Sequence, residues 1–153
     1  WDYQHDSENF IKVLHKINSS THLENNLDLM KWNMNKKYLY DLQNKGVHIV
    51  ETLWKNKFDR SEAVNYFEQL GAEEIIIKPN ISASADNTYR LNKDTLTAFF
   101  DILENTFSKR EFMIQPFIKN IIESFFPAAS VTKLGISSIV LPLVNKIITR
   151  YDR

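Results

Sequence analysis

The 153-residue chain contains no cysteine. Disulfides, thiolate zinc sites and cysteine nucleophiles are therefore all excluded. Only three glycines and four prolines occur, too few for the turns of an all-β fold, which points to a helix-containing one. Excess charge of either sign is missing as well. Nineteen Lys and Arg balance nineteen Asp and Glu, so no global field gathers nucleic acid or anionic lipid. What remains is ordinary for a globular domain. Hydrophobic residues make up 43% and charged residues 25%, unlike a disordered chain or a coiled coil, and the length allows a real core.

The first residues, Trp1-Asp2-Tyr3-Gln4-His5-Asp6, offer neither the basic nor the apolar region of a secretory signal. They also lack an initiating Met, which reads as a processing site or as a piece of a longer chain. The most apolar stretch, Phe125 to Ile148, is interrupted by Lys133, Pro142 and Asn145. A spanning helix needs about 20 largely apolar residues, so this stretch reads as a buried or interface segment. The expectation is a cytoplasmic protein with neither membrane nor nucleic acid as partner.

Hydrophobic spacing predicts a helix over Ser7 to Asn18, with Phe10, Val13, Leu14 and Ile17 on one face and Asp6 or Ser7 as N-cap. A second helix is predicted over Asn35 to Asn44, ended by Gly46, and Val47 to Val50 reads as a short buried strand. Ser61 can cap a third helix, with Val64, Phe67 and Leu70 on one face and Gly71 at its end. Glu73 to Lys78 is the next strand, stopped by Pro79. Asn80 to Asn87 is a small-residue polar loop, and Thr88 to Leu91 a further strand. Asp94 to Phe107 is a helix with Leu96, Phe99, Phe100, Leu103 and Phe107 as its core stripe. Phe112 to Ile118 is a strand with Pro116 at an edge or a kink. This mixed order makes the class α+β or α/β. From Phe125 the text turns apolar and acid-free until Asp152, with a helix over about 136–151, kinked near Pro142.

Several chemistries have no motif to carry them. Neither G-x-x-x-x-G-K-[ST] nor G-x-G-x-x-G occurs. His5, His15, His22 and His48 lie far apart and read as surface or packing residues. No G-x-S-x-G elbow supports a hydrolase triad. Lys78 is more informative, because it closes a run of three isoleucines ahead of Pro79 and a small-residue loop. A buried strand can fix the ammonium stem while loop N–H groups and Ser hydroxyls turn toward an anion. An edge-strand lysine that snorkels to solvent fits the same local pattern. Gln115-Pro116-Phe117-Ile118 is similarly two-sided. Proline removes a ladder bond and can leave a donor–acceptor pair to read an adenine edge, or it can simply block further pairing at an edge.

Read together, several pieces resemble the ATP-grasp superfamily, in particular its glutathione-synthetase-like branch of ATP-dependent carboxylate–amine ligases. They are Trp1-Asp2-Tyr3; the stretch Leu29 to Leu39 containing Trp32-Asn33; Gly46 to Thr52; Ile75-Ile76-Ile77-Lys78-Pro79; Ser82-Ala83-Ser84; and Gln115 to Ile118. Their order follows the family over about residues 1–121. The resemblance implies an α+β, ATP-grasp-like partial fold: the central lobe and part of the second. Residues 1–34 would be linker and the end of a preceding region, 35–122 the nucleotide-binding core, and 123–153 a diverged helical tail. In that picture Lys36, with Lys37 as its one-residue alternative, lies near the phosphates. Lys78 contacts the α-phosphate and the adenine side, and Ser82, Ala83 and Ser84 form a lid over the β- and γ-phosphates. Gln115 faces the adenine amino group, and Phe117 and Ile118 supply backbone contacts and an apolar wall. Glu123 falls near the place of a ribose-binding acid.

The departure matters as much. After Glu123 the only acidic residue is Asp152, and Asn120 and Asn145 are the nearby amides. The family's magnesium is held by a late acidic and Asn group, and no metal ligands are found here although ATP and magnesium are implied. Catalytic residues are therefore unassigned. Two functions stay open. One is the ATP-gripping part of a ligase, incomplete for catalysis, with unknown carboxylate and amine substrates. The other is a non-catalytic nucleotide-binding or interaction module whose apolar tail docks on a second copy or a partner chain.

Overall fold

The computed structural model describes residues 3–119. The tail from 123, with Glu123, the apolar stretch and the helix over 136–151, lies outside the described residues. Helix α1 covers Ser7–Ser20, and Asp6 caps it by accepting from the Asn9 amide. Helix α2 covers Leu27–Met34 under an Asn26 cap, and α3 covers Tyr38–Asn44. Strand β1 is Leu53–Lys55; two short helices follow, α4 Arg60–Ala63 and α5 Asn65–Gln69. Strands β2 Glu74–Pro79 and β3 Tyr89–Asn92 come next. Helix α6 Lys93–Leu96, a 3-10 turn Thr97–Phe99, helix α7 Phe100–Phe107 and strand β4 Phe112–Pro116 complete the order.

The four strands form one antiparallel sheet in the order β1-β4-β2-β3. Mixed helices on an antiparallel sheet make the class α+β. Register sorts the side chains into two faces, since directly paired residues point the same way. Ile77 pairs with Ile114 and Ile114 with Leu53, so these share a face with Ile75, Leu91 and Phe112. That face packs on Phe58, Ala63, Tyr66, Phe67, Leu70, Leu96, Leu103 and Phe107 to make the core. The other face carries Ile76, Lys78, Arg90, Met113, Gln115 and Trp54.

Gly46 and Gly71 both end helices in the left-handed region, at φ +84° and +57°. After Gly46, the Val47 amide reaches Leu42 O while the Gly46 amide reaches Gln43 O, the paired bonds of a Schellman end. The predicted strand over Val47 to Val50 is not formed. Once past that cap Val47 and His48 are exposed and the backbone is irregular; pairing begins only at Leu53, where β4 supplies a partner. Ser61 is not the cap of its helix either. Asp59 is, with its carboxylate taking the Ser61 amide. Val64 sits outside: the buried stripe is Ala63, Tyr66, Phe67 and Leu70, the i, i+3, i+4, i+7 set. Asp94 to Phe107 is helical but broken by the 3-10 turn, and Leu96, Leu103 and Phe107 form its buried side. The two edge readings also fail, because β2 and β4 are the interior strands of the sheet. All four histidines are exposed.

Candidate functional site

Strand β2 ends in Lys78 and Pro79, beyond the last β2–β3 pair at Ile77 and Tyr89. Lys78 still pairs with Met113 on β4, so its stem is fixed on one side while the other is left to the following loop. The ammonium is pushed below the ordinary lysine range by burial. Lys36, at the turn between α2 and α3, is held by two kinds of bond. Its backbone amide donates to Asn80 O at 2.9 Å. Its Nζ donates to Ser82 Oγ at 2.7 Å and to Ser82 O at 3.1 Å. Burial first, then the charges of Lys78 and Arg110, bring the Lys36 ammonium down to about 8. Lys37 turns the other way and pairs with Glu111 at 2.9 Å. Between the two adjacent lysines, Lys36 is the one beside Lys78.

A third cation joins them that was not foreseen. Arg110 lies just before β4, and its Nη2 donates to Ile81 O at 2.8 Å. The register of β2 on β4 could have revealed it. Pro79 pairs with Phe112, so two residues further out Ile81 meets Arg110. The same continuation places the Asn80 amide on Glu111 O at 3.1 Å. Residues 80–82 are thus gripped from both sides, by Lys36 and by the Arg110-Glu111 pair. Electrostatically, the charges of Lys78 and Arg110 both act on the Lys36 ammonium at one loop root, and the Glu111 carboxylate is spent on Lys37. Such an arrangement favours an anion with several negative oxygens.

The loop beyond the root is built by two turns, Asp86 N to Ala83 O and Thr88 N to Ala85 O. Ser84, Ala85 and Asn87 take φ values of +53°, +58° and +50°. For non-glycine residues that conformation costs about 1–2 kcal/mol each, so strain concentrates in the segment predicted as a lid. Ser82 belongs to the cation cluster, whereas Ala83 and Ser84 lead away into the turns.

At the far end of the same sheet face, Gln115 Nε2 donates to Thr52 Oγ1 at 2.9 Å. Gln115 and Lys78 are diagonal neighbours across β4 and β2, about 7–8 Å apart by strand geometry. The Phe117 amide is already used, donating to Glu74 O at 2.9 Å. Its ring carries the Arg90 guanidinium 3.8 Å from the centroid, and Arg90 is itself held by both Glu74 oxygens. Ile118 is exposed. The structure therefore brings Lys36, Lys78 and Ser82 together, with Gln115 along one sheet face. Phe117 and Ile118 lie past the strand end with their own partners or exposed.

No protein-family model matches the chain, and neither does any curated protein. Among solved structures, the chain is similar to the D-cycloserine synthetase DcsG, with a TM-score of 0.63 at 20% identity. The match covers 79% of this chain and 42% of that one. The fold is ATP-grasp-like, in part. A D-alanine-D-alanine ligase from Helicobacter pylori is also similar, at a TM-score of 0.43 and 18% identity, over 61% of this chain and 29% of that one. The ATP-grasp-like unit thus spans less than half the length of the synthetase it resembles. Among the described residues no group of three His, Cys, Asp or Glu could hold a metal ion. The three cations do not fit magnesium, and no step can be derived through one. No helix among the described residues is long and apolar enough to cross a membrane.

Proposed function

We propose that this chain is the ATP-binding part of a carboxylate–amine ligase of the ATP-grasp superfamily, in its glutathione-synthetase-like branch. The observation that carries the reading is the meeting of Lys36, Lys78 and Ser82 at one loop root, from three separate stretches of sequence. A triphosphate needs fixed positive charge and short donors arranged for several oxygens at once. Lys78 would take the phosphate nearest the nucleoside, since the strip from Lys78 toward Gln115 runs along a sheet face floored by Ile76 and Met113. Lys36 would take a more distal phosphate, exchanging its bonds to Ser82 for phosphate oxygens. Ser82, Ala83 and Ser84 would close over the β- and γ-phosphates. Gln115 would present its amide to the base.

In this reading the chain contributes positioning and charge stabilisation, which is most of what phosphoryl transfer asks of a protein. In the family a carboxylate takes the γ-phosphoryl group and an amine then displaces phosphate, with magnesium on the phosphates, and residues 3–119 offer no group of three His, Cys, Asp or Glu to hold that ion. The core would run over about 35–122. Isothermal titration of ATP with magnesium tests the proposal. The wild-type chain should bind, and Lys78→Ala should bind about tenfold more weakly or worse, the scale of one charge-assisted contact. Identical heats for the two proteins would remove the site.

A further inference from the structure

The cluster holds one more cation than the expected pair. Arg110 reaches Ile81 O, directly before the residue whose carbonyl and hydroxyl take Lys36. Its charge is felt at Lys36, yet among the described residues no carboxylate pairs with it. Its neighbours divide the work differently: Glu111 is occupied by Lys37, and Lys109 is exposed. Arg110 therefore does two things at once. One N–H fixes the carbonyl at the foot of the small-residue loop, and the guanidinium adds a third positive charge beside Lys36.

We propose that Arg110 is a positioning residue that gives this site its preference for a nucleoside triphosphate over a monophosphate. The inference rests on the nucleotide reading above. A monophosphate would be served by Lys78 and its immediate surroundings. Only the distal phosphates would lie under residues 82–84, whose root Arg110 holds, and only they would draw on its charge. The bond to Ile81 is a single one, so a lysine can replace it while a neutral amide can replace only the geometry.

The experiment measures ATP and AMP affinity for the full chain as wild type, Arg110→Gln, Arg110→Lys and the neighbouring control Lys109→Gln. Arg110→Gln should weaken ATP about tenfold and AMP less than about threefold, the loss of one charge-assisted interaction. Arg110→Lys should restore most of the ATP affinity, and Lys109→Gln should leave the ATP-to-AMP ratio unchanged. Equal weakening of ATP and AMP by Arg110→Gln would reveal a merely structural role and overturn the proposal. So would a lysine variant as weak as the glutamine one, or an equal effect of Lys109→Gln. If the wild-type chain binds neither nucleotide, the nucleotide reading itself is what fails. Should Arg110→Gln lose its cooperative melt, the Arg110 Nε–H resonance of the wild type decides. It should move on adding ATP and stay on adding AMP; no movement with ATP counts against the proposal.

Discussion

The two faces of the sheet are built from the same strands and differ in nearly everything else. One buries Ile75, Ile77, Leu91, Phe112 and Ile114 against helices, with all five at or near zero exposure. The other alternates Ile76 and Met113 with Lys78, Arg90, Gln115 and Trp54, and most of those polar groups stay half-buried. Apolar burial supplies folding free energy at roughly 25 cal/mol per Å², so the first face accounts for stability. Half-burying a lysine does the opposite, and the lowered Lys36 and Lys78 ammonium groups record that cost. A fold keeps such groups at its own expense where a ligand of opposite charge repays them.

The contrast breaks most directly at Phe107, which is fully buried and stacks on Phe112 at 4.6 Å between ring centroids. Phe107→Ala should lose about 3–5 kcal/mol in urea denaturation, a large share of the stability of a domain this size. The equivalent insult on the other face should have the reverse profile. Lys78→Ala should leave the denaturation midpoint unchanged or raised, while ATP affinity falls by about 2 kcal/mol, the worth of a hydrogen bond to a charged group.

pH sharpens the comparison further. Lys36 titrates at about 8 when folded and at the ordinary lysine value of 10.5 when unfolded. Below 8 it is charged in both states. Between 8 and 10.5 the unfolded chain binds the extra proton, so stability rises with pH across that interval. Anion binding should fall over the same range, because the folded Lys36 is losing its charge. Tyr66 limits the window from above. Its phenol, with no hydrogen-bond partner and pushed up to about 12 chiefly by burial, ionises first in the unfolded state near 10, so stability turns down again. Thermal melts and ATP titrations between pH 8 and about 10 should therefore move in opposite directions. If both fall together, the Lys36 environment is misassigned.

The smallest effect lies away from both faces. At Gly46, φ is +84° and an added Cβ would meet nothing within 4 Å. Gly46→Ala should cost about 1 kcal/mol, the backbone strain alone. A larger loss in denaturation would mean that the Schellman end does more than close α3.

Much of the fold was legible because the pattern and the packing agree. The isoleucine run became β2, the Leu103 and Phe107 stripe became the buried side of α7, and both helix-ending glycines took positive φ. The failures share a cause. Val47 to Val50 has strand composition, but a strand exists only where a partner waits, and β4 waits at Leu53. Lys78 and Pro116 carried edge-like signals, yet strand order is a long-range property that local text does not hold. Family resemblance singled out Lys36 and Lys78, which the structure brings together, but not Arg110. Its place beside Ile81 comes from register, since the two meet only once β2 and β4 are aligned.

Lys36 and Lys78 share one electrostatic neighbourhood. Side-chain NMR titration of Lys36 in the wild type and in Lys78→Met tests it without any ligand. Lys36 should titrate near 8 in the wild type and move upward when the Lys78 charge is removed. A Lys36 that titrates in the ordinary lysine range, unmoved by Lys78→Met, would contradict the shared site.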